Sequence, residues 1–344
     1  MRNGTFIALV VITAFLGSQS PGIHAASAEA EQSGAGEVPR RADGRPDLGG
    51  VWDFRSGTPL ERPAEVGDQT GQEVGDQTGQ AEEATDETPL ERGLRIGAYN
   101  QFWSDAGTPV PEDARASLIV DPPDGRIPSL RPGALRQVGS YMEEDLESTR
   151  PIRYRGGGIS PDGPEDRGLA ERCLLGFNTG PPVIPGGYNE NIQIFQTADY
   201  VVVFHEMVHD ARIVPLDGRP HLPNGIRQWM GDPRGYWDGD TLVIESTNFS
   251  DKTMSFNDSL TSGFGTGKTL HLTERFRRIN GETLEYEFTV NDPVTFTQPF
   301  TGIIPMTKNQ GEVYEFACHE GNYGLIDILA GARAEEAAAA RESR

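Results

Sequence analysis

The chain has 344 residues, 52 of them acidic and 30 basic, for a formal net charge of −22, and it carries only two cysteines. A surface of that sign repels phosphate, which excludes nucleic acid and anionic membranes as expected partners. The length allows one large or two small domains, and two cysteines are too few for a cysteine-based zinc framework.

In chain order, residues 1–25 read as a signal peptide. Arg2 precedes an apolar run from Phe6 to Leu16, followed by Gly17, Ser18, Ser20 and Pro21, with small residues for cleavage near Ala25 or Ala28. The run is shorter than the ~20 apolar residues a spanning helix needs. The mature chain is therefore expected to be periplasmic or secreted, without a transmembrane segment. In that compartment disulfides persist, so Cys173 and Cys318 are expected to pair. Closing so long a loop contributes on the order of 4–5 kcal/mol in the chain-entropy model.

Residues 26–44 are polar and Gly-rich, and read as a disordered linker. A single β-rich domain is expected over 45–335, interrupted by an acidic disordered insertion at 61–92, with a tail at 336–344. Within the insertion, the unit Glu65 to Gln72 repeats at once as Glu73 to Gln80. It has no aromatic residue to offset its ordering entropy.

Asp47 to Phe54 is a strand candidate whose Gly50-Val51-Trp52 is of the kind that opens lipocalin-type barrels. A short strand is expected at Ser117 to Val120 and a short helix from Pro132 to Glu147. Six β runs follow: Ile192 to Phe195, Tyr200 to Val214, Thr241 to Ser246, Thr269 to Arg278, Thr283 to Val290 and Val313 to Cys318. Clusters of Gly, Asn, Asp and Pro separate them. Leu325 to Arg341 is Ala- and Glu-rich and predicts a terminal helix. The fold class is mainly β, an antiparallel barrel or sandwich with a short C-terminal helix.

One hairpin can be set by register. A three-residue loop, Ile279-Asn280-Gly281, pairs Phe276 with Leu284 and Leu272 with Phe288, keeping the apolar residues on one face. Glu274 then falls on that face, opposite Tyr286. Buried without a cation it would be an acid catalyst with a raised pKa; Arg212 or Arg278 beside it would remove that effect.

His205-Glu206-Met207-Val208-His209 matches H-E-x-x-H, which grips zinc only on a helix, where i and i+4 share a face. The flanking Val201-Val202-Val203-Phe204 and Ile213-Val214 favour a strand. On a strand the two imidazoles stand about 13 Å apart, so no metal is expected. Strand alternation places Glu206, Asp210 and Arg212 on one face with Phe204, Val208 and Val214. Such charges either line a wet cavity or form a structural ion pair.

Arg219 and His221 lie on the turn Leu216 to His221. Trp229, Tyr236 and Trp237 surround the Gly-rich stretch Met230 to Gly235, either rimming a ligand pocket or capping the barrel. Gly263 to Thr269 lacks a glycine at Ser262 that a phosphate loop requires, and no Gly-x-Ser-x-Gly elbow occurs.

Several stretches together carry a family resemblance: Gly44 to Trp52, Gly163 to Arg167, Glu171-Arg172-Cys173, Gly187 to Thr197, Asp217 to His221, Gly239 to Val243 and Ala317 to Gly324. With these the chain resembles a large group of exported bacterial proteins that open on Gly-Arg-Pro-Asp-Leu-x-Gly-x-Trp. The resemblance implies export and a shared fold and brings no activity or catalytic residues with it. Its members often lack a histidine at the position of His205, and the duplicated acidic insertion is outside their pattern.

The functional expectation is a cofactor-free protein holding a small organic ligand, as a binding protein or an acid–base enzyme. Glu206, Asp210, Glu274 and His221 are its candidate catalytic groups. Arg212, Arg219, Trp229, Tyr236 and Trp237 are its candidate ligand contacts. The alternatives are a zinc hydrolase using His205, Glu206 and His209, and a non-catalytic interaction module of the cell envelope.

Overall fold

The structure is a computed structural model, and it describes residues 37–63, 115–138, 162–186, 189–257 and 262–343. The segment expected to be a signal peptide and nearly all of the expected acidic insertion lie outside these residues.

The fold is mainly antiparallel β with one C-terminal helix. Twelve strands occur in the described residues: β1 (Gly50–Asp53), β2 (Ile119–Asp121), β3 (Arg136–Val138), β4 (Asn191–Gln196), β5 (Tyr200–His205), β6 (Ala211–Pro215), β7 (Asp232–Asp238), β8 (Thr241–Thr247), β9 (Ser262–Phe264), β10 (His271–Arg278), β11 (Thr283–Asn291) and β12 (Phe300–Asn309). The helix α1 spans Tyr323–Glu342. Nine strands run in the order β6-β5-β4-β1-β12-β11-β10-β8-β7, β2 adds to β12, and β3 pairs with β9 apart from them.

No ladder joins β6 to β7, yet the sheet curls until these two edges touch. Gly235 on β7 makes the contact possible. A Cβ there would come within 2.8 Å of Val214 and 2.6 Å of Leu216, so only glycine lets the edges close up. The result is an open barrel whose inner surface is the core.

The inner face follows strict alternation. Leu272, Glu274, Phe276 and Arg278 on β10 point inward, as do Leu284, Tyr286, Phe288 and Val290 on β11. Phe300, Ile304 and Met306 do so on β12. Phe276 packs on Tyr286 at 4.9 Å between ring centroids, and Phe256 stands edge-on to Phe300 at 4.9 Å. Trp52 is fully buried, donates Nε1–H to the Leu48 carbonyl (2.9 Å) and is covered by the Arg278 guanidinium at 4.7 Å. Aromatic burial on this scale contributes about 2–3 kcal/mol per ring.

The chain fills this interior with its own backbone. Asn178 through Ile184 are all buried, and the Val183 N–H donates to the Tyr286 hydroxyl at 3.1 Å.

Several expectations are corrected. The hairpin loop is three residues long but sits one place later, at Asn280-Gly281-Glu282, with Ile279 N–H bonded to the Thr283 carbonyl (2.9 Å). Phe276 therefore faces Tyr286, and Leu272 faces Val290. The inward face survives, because the slip is an even number of residues. The expected strand at Val313 to Cys318 is loop.

The expected helix from Pro132 is a strand at Arg136–Val138, paired to β9, and its remainder lies outside the described residues. β7, β9 and β12 are not among the expected runs. Pro305 argues against a central strand, but it falls between the stretches of β12 that pair with β2 and with β1, where its missing N–H costs least.

Candidate functional site

The His205–His209 segment is neither a helix nor extended. β5 ends at His205, Met207–His209 form a single 3-10 turn, and β6 starts at Ala211. Val208 and His209 adopt positive φ (59° and 45°), and His205 N–H closes the hairpin on the Asp210 carbonyl at 2.7 Å.

Propensity could not reveal this turn, since a β-branched residue at positive φ is disfavoured. Tertiary packing overrides it. Met207 and Val208 are buried with Cys173, against Phe177, Phe316 and Cys318. Cys173 and Cys318 form the expected disulfide.

The turn resets the alternation. Val203 pairs with Arg212, and Val201 with Val214. The inward residues are thus Val201, Val203, His205, Arg212 and Val214, whereas Phe204 faces outward. Grouping Arg212 with Phe204 is therefore wrong.

Glu206 is buried as a joint between three segments. Its carboxylate accepts from Asn191 Nδ2 at 2.8 Å and from Tyr314 N–H at 3.2 Å. Asp210 is half-buried at the end of the turn, and exposed His209 has Nδ1 at 3.1 Å from the Phe316 carbonyl. His205 is inward and His209 outward. Among the described residues no group of three or more His, Cys, Asp or Glu is arranged to hold a metal.

Arg212 and Glu274 meet inside the barrel in a two-pronged ion pair, Nη1 to Oε2 and Nη2 to Oε1 (2.9 Å for the latter). Their side chains are 1% and 0% exposed. Tyr286 Oη–H donates to Glu274 Oε1 at 2.8 Å. Burial works against the Arg212 charge, but Glu274 more than offsets it and holds the guanidinium above its ordinary value. Burial pushes the Tyr286 phenol well up, with the Glu274 charge adding to it. The cation that quenches an acid role for Glu274 is present, and its carboxylate is fully engaged.

The remaining candidate, His221, is differently placed. Its Nδ1 lies 3.1 Å from Oδ2 of Asp232, the first residue of β7, which is 2% exposed. The same Oδ2 accepts Leu222 N–H at 2.8 Å, and Arg234 Nη1 reaches Oδ1 at 2.6 Å.

The loop carrying His221 is tied down on both sides. Arg234 Nε donates to the Pro220 carbonyl (3.0 Å), and Asn248 Nδ2 to the Leu222 carbonyl (2.7 Å). A carboxylate at Nδ1 calls for Nδ1–H, which in the neutral ring leaves the lone pair on Nε2. The His221 side chain is 30% exposed.

The other expected contacts are dispersed. Arg219 pairs with Asp217 at the surface and lies over the Tyr200 ring at 5.9 Å. Its hydrogen bonds hold the Asp217 carboxyl down to about 2. Tyr236 and Trp237 are neighbours on β7 and point to opposite faces: Tyr236 is exposed, while Trp237 packs on the main core under the Arg45 guanidinium at 5.4 Å. Trp229 packs on Leu169 and Leu175. The structure does not bring these three aromatics together.

Asp232, Arg234 and Tyr286 were not singled out from sequence. The first two stand i and i+2 on β7 and therefore share a face, but the stretch reads as a Gly-rich loop in the sequence, so neither this face nor the pairing with His221 is legible there.

These features define a class, an open antiparallel barrel with a self-filled interior and, at its surface, an imidazole paired with a buried carboxylate. No protein-family model, curated protein or solved structure matches the chain.

Proposed function

We propose that this chain is a cofactor-free acid–base enzyme acting on a small organic molecule at its surface, with His221 as general base and Asp232 as the group that orients it. One observation carries the reading: a partly exposed imidazole is held at Nδ1 by a buried carboxylate that is itself anchored by Arg234 and a backbone N–H. A general base needs an outward lone pair, a fixed ring and a charge that stabilises the imidazolium once the proton is taken. The ligand belongs outside the barrel, beside the start of β7, because the interior holds residues 178–184.

The test is a screen of small esters, lactones and ketones with acidic α-protons, using native protein, His221→Ala and Asp232→Asn. Turnover by the native chain should fall by about 10²–10⁴-fold in His221→Ala and substantially in Asp232→Asn, with circular dichroism unchanged. Equal turnover in native protein and His221→Ala would remove the proposal.

A second reading, a non-catalytic interaction module of the cell envelope, draws support from the filled interior. It gains if no member of the panel is turned over and an apolar fluorophore finds no saturable site.

A further inference from the structure

Arg234 shares one face of β7 with Asp232 and Tyr236, and its Cα partner across the ladder is Glu245 on β8. It makes no ion pair with that acid, whose Oε1 accepts from the Tyr236 hydroxyl at 3.3 Å. It turns instead to the loop that carries His221. Nε donates to the Pro220 carbonyl, and Nη1 to Asp232 Oδ1 and the Pro233 carbonyl (2.7 Å).

A guanidinium carries five N–H groups, and these bonds use Nε and Nη1 alone. Among the described residues Nη2 has no acceptor, yet it is not one of the buried side-chain atoms left without a partner. Its hydrogens therefore meet solvent, although the side chain is only 15% exposed. The same holds for His221 Nε2, the nitrogen that a base needs.

One carboxylate joins these two groups. Asp232 holds the imidazole on Oδ2 and the guanidinium on Oδ1, so the two are neighbours. The acids closest to them are matched: Asp232 faces Arg234, and Asp217 faces Arg219, two residues before His221. The excess acid of the chain is therefore balanced at this point, and a small anion is not turned away. Glu245 has no cation within ion-pair reach among the described residues, and its charge favours a ligand on the His221 side of the guanidinium over one above β8. A guanidinium held by three bonds suits a carboxylate, whose oxygens take charge-assisted N–H bonds from its planar fork.

We propose that the molecule on which His221 acts carries a carboxylate, which Arg234 Nη2 receives beside the imidazole. This rests on the reading of His221 as the base and names its substrate class: small carboxylates that also hold the ester, lactone or ketone group. The bond to Arg234 is made to a charge already present in the substrate, so it serves binding and not the chemical step.

Formate is the probe, followed by the His221 Hε1 and Arg234 side-chain NMR signals of the native chain. Both should shift saturably with one affinity, while formamide, the neutral analogue, leaves them in place. Arg234→Gln should weaken formate about 10- to 100-fold, as for the loss of a hydrogen bond to a charged group. Because Arg234 also braces the loop, methylguanidinium added to Arg234→Ala should restore part of the formate shift at His221, which a merely loosened loop would not allow. His221→Ala should keep most of the formate affinity, read at Arg234, while losing turnover; turnover thus judges the base and formate judges the carboxylate. Signals that move only with ionic strength, an equal response to formamide, native affinity in Arg234→Gln, or an Arg234→Ala chain that methylguanidinium does not restore would each overturn the proposal.

Discussion

Arg212 and Glu274 show how one residue's environment decides its role. A carboxylate on an aromatic face is a candidate acid until its neighbour is known, and the neighbour here lies 62 positions away in the chain. Two charges taken out of water stabilise a fold only when their mutual attraction and hydrogen bonds are nearly ideal, and removing one partner strands the other. Arg212→Met alone should therefore lose about 3–5 kcal/mol in urea unfolding. The double change Arg212→Met with Glu274→Leu should recover most of that loss. If the double variant is as unstable as the single, the pair is not an isolated buried couple. His221 is the opposite case, its partner being close in sequence and its ring partly exposed.

The instructive element is the β5–β6 turn. The segment's composition argues for one long strand from Tyr200 to Val214, and both flanks are indeed strands. What the composition missed is the five-residue interruption, Glu206 to Asp210, whose apolar residues are buried by the disulfide-linked segments rather than by the sheet. Glu206 ties the turn to the chain leading into α1. Glu206→Ala should destabilise the protein by about 1.5–3 kcal/mol, as expected for hydrogen bonds to a charged group. It should also speed proteolysis between Asn309 and Cys318, with Glu206→Gln partly restoring protection because one acceptor oxygen remains. Unchanged cleavage would mean that the C-terminal segment is held by the disulfide alone. The β10–β11 hairpin was readable by contrast, since its apolar positions repeat every second residue without a break and survive a slip of the turn by one place.

Across the whole molecule, the disulfide joins the segment after the 162–172 turns to the segment before α1, with a separation of 145 residues. In the chain-entropy model a link of that span contributes about 5 kcal/mol by restricting the unfolded chain. Replacing both cysteines by serine should lower the unfolding free energy by up to that amount, and reductant should have no further effect on the variant. A stability equal to the native protein's would show that the link contributes nothing. Among the described residues no helix is long and apolar enough to cross a membrane.

By itself the sequence determined the β class, the inward sets of β10 and β11, the terminal helix and the cysteine pair, because these rest on local period, on composition and on there being only two cysteines to pair. Tertiary structure alone decided which face Arg212 shares, what neutralises Glu274, and that Asp232 stands behind His221. The physical reason is that a two-residue period keeps its phase only along an unbroken strand. Every turn of unknown length resets it, and the curl of the sheet then chooses which distant side chains meet.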